Sequence, residues 1–244
     1  YQDLVSDCRR ELSRGSAVVL EDFILPERLE TLVEQADQLV PLAHHNHNCT
    51  TTPYQETITQ WNDSAPPRKR PRTTSTHVIA YDLIPPHDGV RLLYEWDVLL
   101  SFLKDALGLP VLHRYEDQLA GLNIAANMPG DHNGWHFDQC DFVTSLLIRE
   151  AQAGGHFQYA PNIRSADHEN YDAVEKVLDG DEASVIQLPF RAGSLALFMG
   201  RYSMHQVTPV LRGDPRLVAL LGYDTRPGVL MSESARQRRF GRTH

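Results

Sequence analysis

Between Pro110 and Asp224 the chain breaks into short runs rich in β-branched and aromatic residues, separated by glycine, proline and asparagine. They cover 111–117, 120–127, 135–149, 154–160, 184–189, 194–199, 203–210 and 216–224. Short runs at that spacing pack as a sandwich or as a jelly-roll barrel. One helical stretch interrupts them, NYDAVEKVLDG at 170–180, stopped by Gly180. Upstream, apolar residues recur at helical spacing in 1–14, in 26–40 behind Pro26, and in 89–108. Short strands are expected at 17–23 and 76–84. The fold class expected is therefore mainly β with packed helices: a helical N-terminal layer on a jelly-roll core. No internal repeat or linker divides the chain, so one domain is expected over 1–244, with a helical and lid portion at 1–110 and a β core at 111–230.

Composition excludes some functions. A net charge of −9 argues against nucleic-acid binding, which needs a basic face to displace counterions. There is no apolar run of about 18 residues to span a membrane. The charged N-terminal segment does not read as a secretory signal. Cys8, Cys49 and Cys140 are too few for a disulfide framework, so a reducing, cytoplasmic location is expected. Residues 41–75 are polar and read as a long connection of the kind that covers sites. They contain RKRPR at 68–72, either a solvated loop or an anion-contacting lid. They also contain AHHNHN, with His44, His45 and His47, and His77 follows nearby; the irregular spacing reads as a polar loop rather than a metal tract.

The chemistry concentrates in GWHFDQCDF, 134–142. Read as one strand, it places His136, Asp138, Cys140, Phe142 and Thr144 on one face, with His136 and Asp138 about 7 Å apart along the strand. Their tips can then converge on an ion. A third ligand is available in His205, on another strand-like segment. Two imidazoles and one carboxylate leave coordination positions open, as in non-haem Fe(II) oxygenases. Arg216 opens an otherwise apolar run, RLVALLGYDT, and a buried arginine requires an anion. The far carboxylate of 2-oxoglutarate would be one such partner.

Together, His136-x-Asp138, His205 and HQVTPVLRGDPR resemble the Fe(II)/2-oxoglutarate-dependent dioxygenase superfamily. STHVIAYDL, GWHFD, DFVTSLLI, GGHFQYAPNIR, ENYDAV, LALFMGRYSMHQVTPV and ALLGYDTRPG, spread over about 76–230, are similar to the bacterial group of free-lysine radical halogenases and their amino-acid hydroxylase relatives. The resemblance implies a double-stranded β-helix, Fe(II) held by His136, Asp138 and His205, 2-oxoglutarate and O2 as co-substrates, and attack on an unactivated C–H bond of a small molecule. Halogenases of this kind carry glycine where this chain has Asp138, so the resemblance implies hydroxylation rather than halogenation. The arginine motif holds one extra residue, which leaves Arg212 as a competitor of Arg216 for 2-oxoglutarate.

Thr144 is the candidate second contact to 2-oxoglutarate, with a core threonine as the alternative. Asn123 faces in or out with equal weight. Trp135 and Phe137 are expected to pack the sheet against the helical layer. For a free amino acid, Arg72 and Arg164 are candidate anion binders, and Glu116, Asp117 and Asp224 candidate cation binders; Gln139 follows the ligand aspartate. The expected activity is hydroxylation of a free polar or cationic amino acid, yielding succinate and CO2. The alternatives are an oxygenase acting on a carrier-bound aminoacyl group, nucleotide or peptide, and a non-catalytic metal-binding protein.

Overall fold

The computed structural model describes residues 1–56 and 66–244. In chain order the elements are α1 (Gln2–Gly15), β1 (Ala17–Leu20), α2 (Pro26–Leu39), β2 (His44–Thr51), β3 (Arg72–Ala80), α3 (Gly89–Glu95), α4 (Asp97–Ala106), β4 (His113–Arg114), β5 (Leu122–Asn127), β6 (His132–His136) and β7 (Val143–Arg149). They continue with β8 (Ala153–Gly154), β9 (Phe157–Ala160), α5 (Tyr171–Leu178), β10 (Ile186–Gln187), β11 (Leu195–Phe198), β12 (Met204–Val207), β13 (Val210–Arg212), β14 (Arg216–Leu221), β15 (Tyr223–Asp224) and α6 (Glu233–Phe240). Among the described residues no helix is long and apolar enough to cross a membrane.

An antiparallel sheet of 11 strands runs β1-β11-β7-β14-β5-β3-β6-β12-β9-β10, with β2 also on β3. β3 is the corner: Val78–Ala80 pair with β5, while Thr74 and Ser75 pair with β6. The sheet therefore curls into a jelly-roll, as the segment pattern predicts. Its two faces differ in chemistry. Leu122, Ile124 and Ala126 of β5, Leu146 and Ile148 of β7, and Leu217, Ala219 and Leu221 of β14 form one apolar face. That face packs on Val5 and Cys8 of α1, Leu32 and Ala36 of α2, and Phe102 and Leu103 of α4. The intervening residues Asn123, Asn127 and Arg216 are buried and polar on the concave face, where Arg216 stands opposite Asn127. Strand alternation thus separates a hydrophobic foundation from a polar interior.

Four local readings are corrected. The run 135–149 is two strands, because β6 ends at His136 and β7 begins at Val143. The helix expected at 89–108 is two, broken at Trp96, whose ψ of 118° is extended. Residues 41–75 are not merely a connection: His44–Thr51 and Arg72–Ala80 pair across a bulge, and the rest of the expected lid falls partly on 57–65, outside the described residues. Trp135 and Phe137 pack with Val174 and Val177 of α5, not with the N-terminal helices.

Ile124 is fully buried at the centre of the helix-packed face. Ile124→Ala is expected to cost about 2–5 kcal/mol, the range for deleting a buried aliphatic side chain. Urea denaturation followed by circular dichroism measures it.

Candidate functional site

His136 is the last residue of β6 and His205 lies on β12, and the two are direct partners in the ladder between these strands. Their rings are 4.1 Å apart, centroid to centroid. Each imidazole is oriented by the backbone. Nδ1 of His136 donates to the Gly134 carbonyl at 2.9 Å, and Nδ1 of His205 to the Ser203 carbonyl at 3.0 Å. Those bonds fix the proton on Nδ1 and leave both Nε2 lone pairs facing the same space. Burial, with His205 and Arg72 nearby, pushes the His136 pKa well down, so its ring is neutral.

Asp138 reaches this space from the loop after β6. Its backbone N–H donates to the Gly200 carbonyl at 3.0 Å, and that of Phe137 to the Pro53 carbonyl at 2.8 Å. The carboxylate lies 3.7 Å from Nε2 of His136 and 3.4 Å from Nε2 of His205. Gly200 makes this possible: a Cβ there would sit 1.8 Å from Asp138 Oδ2. That oxygen is buried with no hydrogen-bond partner among the described residues. Asn133 Nδ2, 3.5 Å from Nε2 of His136, is at the limit of hydrogen-bond reach. Three acceptor atoms within 4.8 Å of one another, with no donor between them, fit a divalent cation. Two neutral nitrogens and one carboxylate suit iron.

Arg216 is 5% exposed and has no hydrogen-bond partner among the described residues. Burial lowers its pKa to about 10, against the pull of Glu150. It lines a cavity of about 180 Å³ with Gly155, His156, Phe157 and Arg191. Phe157 stacks on His205 at 5.5 Å, so this cavity adjoins the His–Asp–His cluster. Arg212, the competitor, is exposed on β13. Thr144 is corrected: it pairs with Leu197 and Leu221 on the helix-packed face, so it does not point into the interior. Asn123 faces inward and accepts from Arg239 Nη2 at 2.8 Å.

The substrate candidates separate. Arg72 donates to Thr74 Oγ1 at 2.7 Å, Asn133 Oδ1 at 2.8 Å and the Gly134 carbonyl at 3.2 Å, which anchors it beside His136. Burial lowers its pKa to about 10, with Cys49 and Asp138 pulling the other way. Arg164 is taken up elsewhere: it donates to the Arg201 carbonyl, pairs with Glu169 and lies over the rings of Tyr54 and Phe137. Glu116 is exposed. Asp117 is buried and structural, accepting from the backbone of Leu119, Ala120 and Met231 and pairing with Arg236. Asp224 pairs with Arg226, and Gln139 is exposed with its carbonyl bonded to Arg201.

Arg239 was not foreseen. It comes from α6, beyond the expected core, and its charge acts on both Asp138 and His136. The local signal was present: Ser232 caps α6 by accepting from the Ala235 N–H, and Gly241 ends it in the left-handed conformation.

Comparison with known proteins agrees with this geometry. A family model described as Halogenase D matches residues 1–237. No curated protein sequence matches. Among solved structures, the chain is similar to the non-heme alpha ketoglutarate dependent epimerase SnoN from nogalamycin biosynthesis, at 12% identity, TM-score 0.61, and 92% and 82% of the two chains covered. It is also similar to a Pseudomonas putida prolyl-4-hydroxylase (14%, TM-score 0.56, 91% and 99% covered). A third is a Trichoplax adhaerens prolyl hydroxylase in complex with a hypoxia inducible factor peptide fragment (14%, TM-score 0.61, 92% and 90% covered). Fold, donor set and family converge: the chain belongs to the Halogenase D family, an enzyme with the fold of the Fe(II)/2-oxoglutarate-dependent oxygenases and a His–Asp–His site that fits their iron.

Proposed function

We propose that this enzyme hydroxylates an unactivated C–H bond of a free polar or cationic amino acid, rather than halogenating it. One observation carries the choice between the two reactions. The Asp138 carboxylate occupies the space beside both Nε2 atoms, where a halogenase needs room for halide. Gly200 supports the reading, because its missing side chain is what lets that carboxylate in.

Bound Fe(II), with 2-oxoglutarate and O2, supplies the oxidising power for hydroxylation, with succinate and CO2 as by-products. His136, Asp138 and His205 hold the metal, and the Gly134 and Ser203 carbonyls keep both imidazoles in the ligating tautomer. Arg216 holds the far carboxylate of 2-oxoglutarate, supported by its burial and by the adjoining cavity. Arg72 receives the carboxylate of the amino acid. Its existing bonds run to neutral oxygens only, so its charge is not neutralised by them. Neither acidic candidate is assigned the substrate ammonium, because Asp224 is already paired with Arg226 and Glu116 is exposed.

The basic run offers little to a phosphate-bearing target. Arg68 pairs with Glu56 and Glu169, and Arg70 with Glu175 and Asp179. This favours a free small molecule over a nucleotide or carrier-bound substrate.

Aerobic incubation with Fe(II), 2-oxoglutarate, ascorbate, chloride, the common amino acids and ornithine is expected to give one product heavier by a single oxygen atom, with matching succinate. A chlorinated product in the mass spectrum contradicts the reading. Arg216→Ala is expected to raise the KM for 2-oxoglutarate about 10–100-fold, the worth of a charge-assisted contact, while leaving Fe(II) affinity unchanged. Gly200→Ala drives a methyl group into Asp138 and is expected to weaken Fe(II) binding about 10–100-fold, the usual cost of disturbing a ligand's support. Equilibrium dialysis of Fe(II) under nitrogen checks both statements about iron.

A further inference from the structure

The histidine tract of β2 is not a loop. His45 stands directly opposite His77 in the β2–β3 ladder. Their rings stack with centroids 3.8 Å apart and planes 10° from parallel. Asp131, in the turn that leads into β6, reaches both: Oδ2 is 2.7 Å from Nδ1 of His77, and Oδ1 is 3.5 Å from Nε2 of His45. One ligand atom from each residue lies within 4.8 Å of the others.

The carboxylate is already oriented. Ser75 Oγ donates to Oδ1 at 2.8 Å and the Met128 N–H to Oδ2 at 2.9 Å. Support of this kind fixes a ligating carboxylate before the metal arrives. The entry path is open, because the side chains of His45 and His77 are 37% and 21% exposed while Asp131 is 4%. His47 meets His45 edge-on at 4.9 Å with its Nε2 bonded to Asn48; Nε2 of His45 is itself 3.0 Å from Ser75 Oγ, a contact that ligation of His45 must break.

We propose that His45, His77 and Asp131 form a second divalent-metal site, of zinc type, separate from the iron centre. Two imidazole nitrogens and one carboxylate oxygen are a zinc ligand set, with water completing the tetrahedron, and are poorly suited to calcium or magnesium. With the metal on His77 Nδ1 and His45 Nε2, each neutral ring carries its single proton on its other nitrogen, Nε2 of His77 and Nδ1 of His45. The Nδ1–Asp131 and Nε2–Ser75 contacts give way and the rings turn out of their parallel stack to share the ion. The site clamps three segments that are distant in sequence: β2, β3 and the turn before β6. His136 lies five residues beyond Asp131 on that strand, so the clamp steadies the approach to the iron ligands.

The two sites share no residue, so metal counting separates them. The full chain is dialysed against buffered Zn2+ alone, and bound zinc is measured by plasma mass spectrometry. Wild type is expected to hold two equivalents. His45→Ala, a change at a partly exposed position, and His136→Ala are each expected to hold one. In the His136→Ala background, Zn2+ is expected to raise Tm; with His45→Ala added, that rise disappears. One equivalent in wild type that is kept in His45→Ala and lost in His136→Ala overturns the second site. One equivalent that is lost in His45→Ala and kept in His136→Ala upholds it and counts against the iron assignment instead.

Discussion

The structure depends on three electron-rich atoms pointing at one another in a buried space. Nε2 of His136, Nε2 of His205 and the Asp138 carboxylate are all acceptors, and Asp138 Oδ2 has no donor among the described residues. Without a cation such an arrangement costs free energy, because buried acceptors lose water and gain nothing in return. The fold nevertheless enforces it. Backbone carbonyls hold both ring tautomers, ladder pairing sets the histidines side by side, and Gly200 clears space for the carboxylate. An apolar face packed on helices supplies the stability, and the concave face carries the chemistry.

Cations are distributed by role. Arg216 is buried without a hydrogen-bond partner among the described residues, beside a cavity that adjoins His205. Arg72 and Arg239 approach the carboxylate from two other elements, one from β3 and one from α6. Arg68, Arg70 and Arg164 are neutralised by acidic neighbours. Three arginines with no carboxylate partner among the described residues, Arg72, Arg216 and Arg239, thus lie beside the His–Asp–His cluster or the cavity that adjoins it.

What the sequence made legible follows from locality. Arg216 stood out because an arginine in an apolar strand needs an anion. The histidine–aspartate pair was found by strand alternation, although Asp138 in fact lies past the end of β6, held by the Gly200 carbonyl. That break matters: alternation does not carry across 137–142, so Thr144 falls on the helix-packed face. Arg239 and the His45–His77–Asp131 cluster were not legible, since each depends on contacts between segments far apart in the chain. Long-range pairing is what periodicity within one segment cannot report.

The most direct test of the account is an anaerobic titration of Fe(II) into the protein with 2-oxoglutarate, followed by visible absorption. The account predicts a weak charge-transfer band that saturates at one Fe(II) per chain and is absent in Asp138→Ala and His205→Ala. A band of full strength in either variant would contradict the assignment of the iron ligands on which everything else rests.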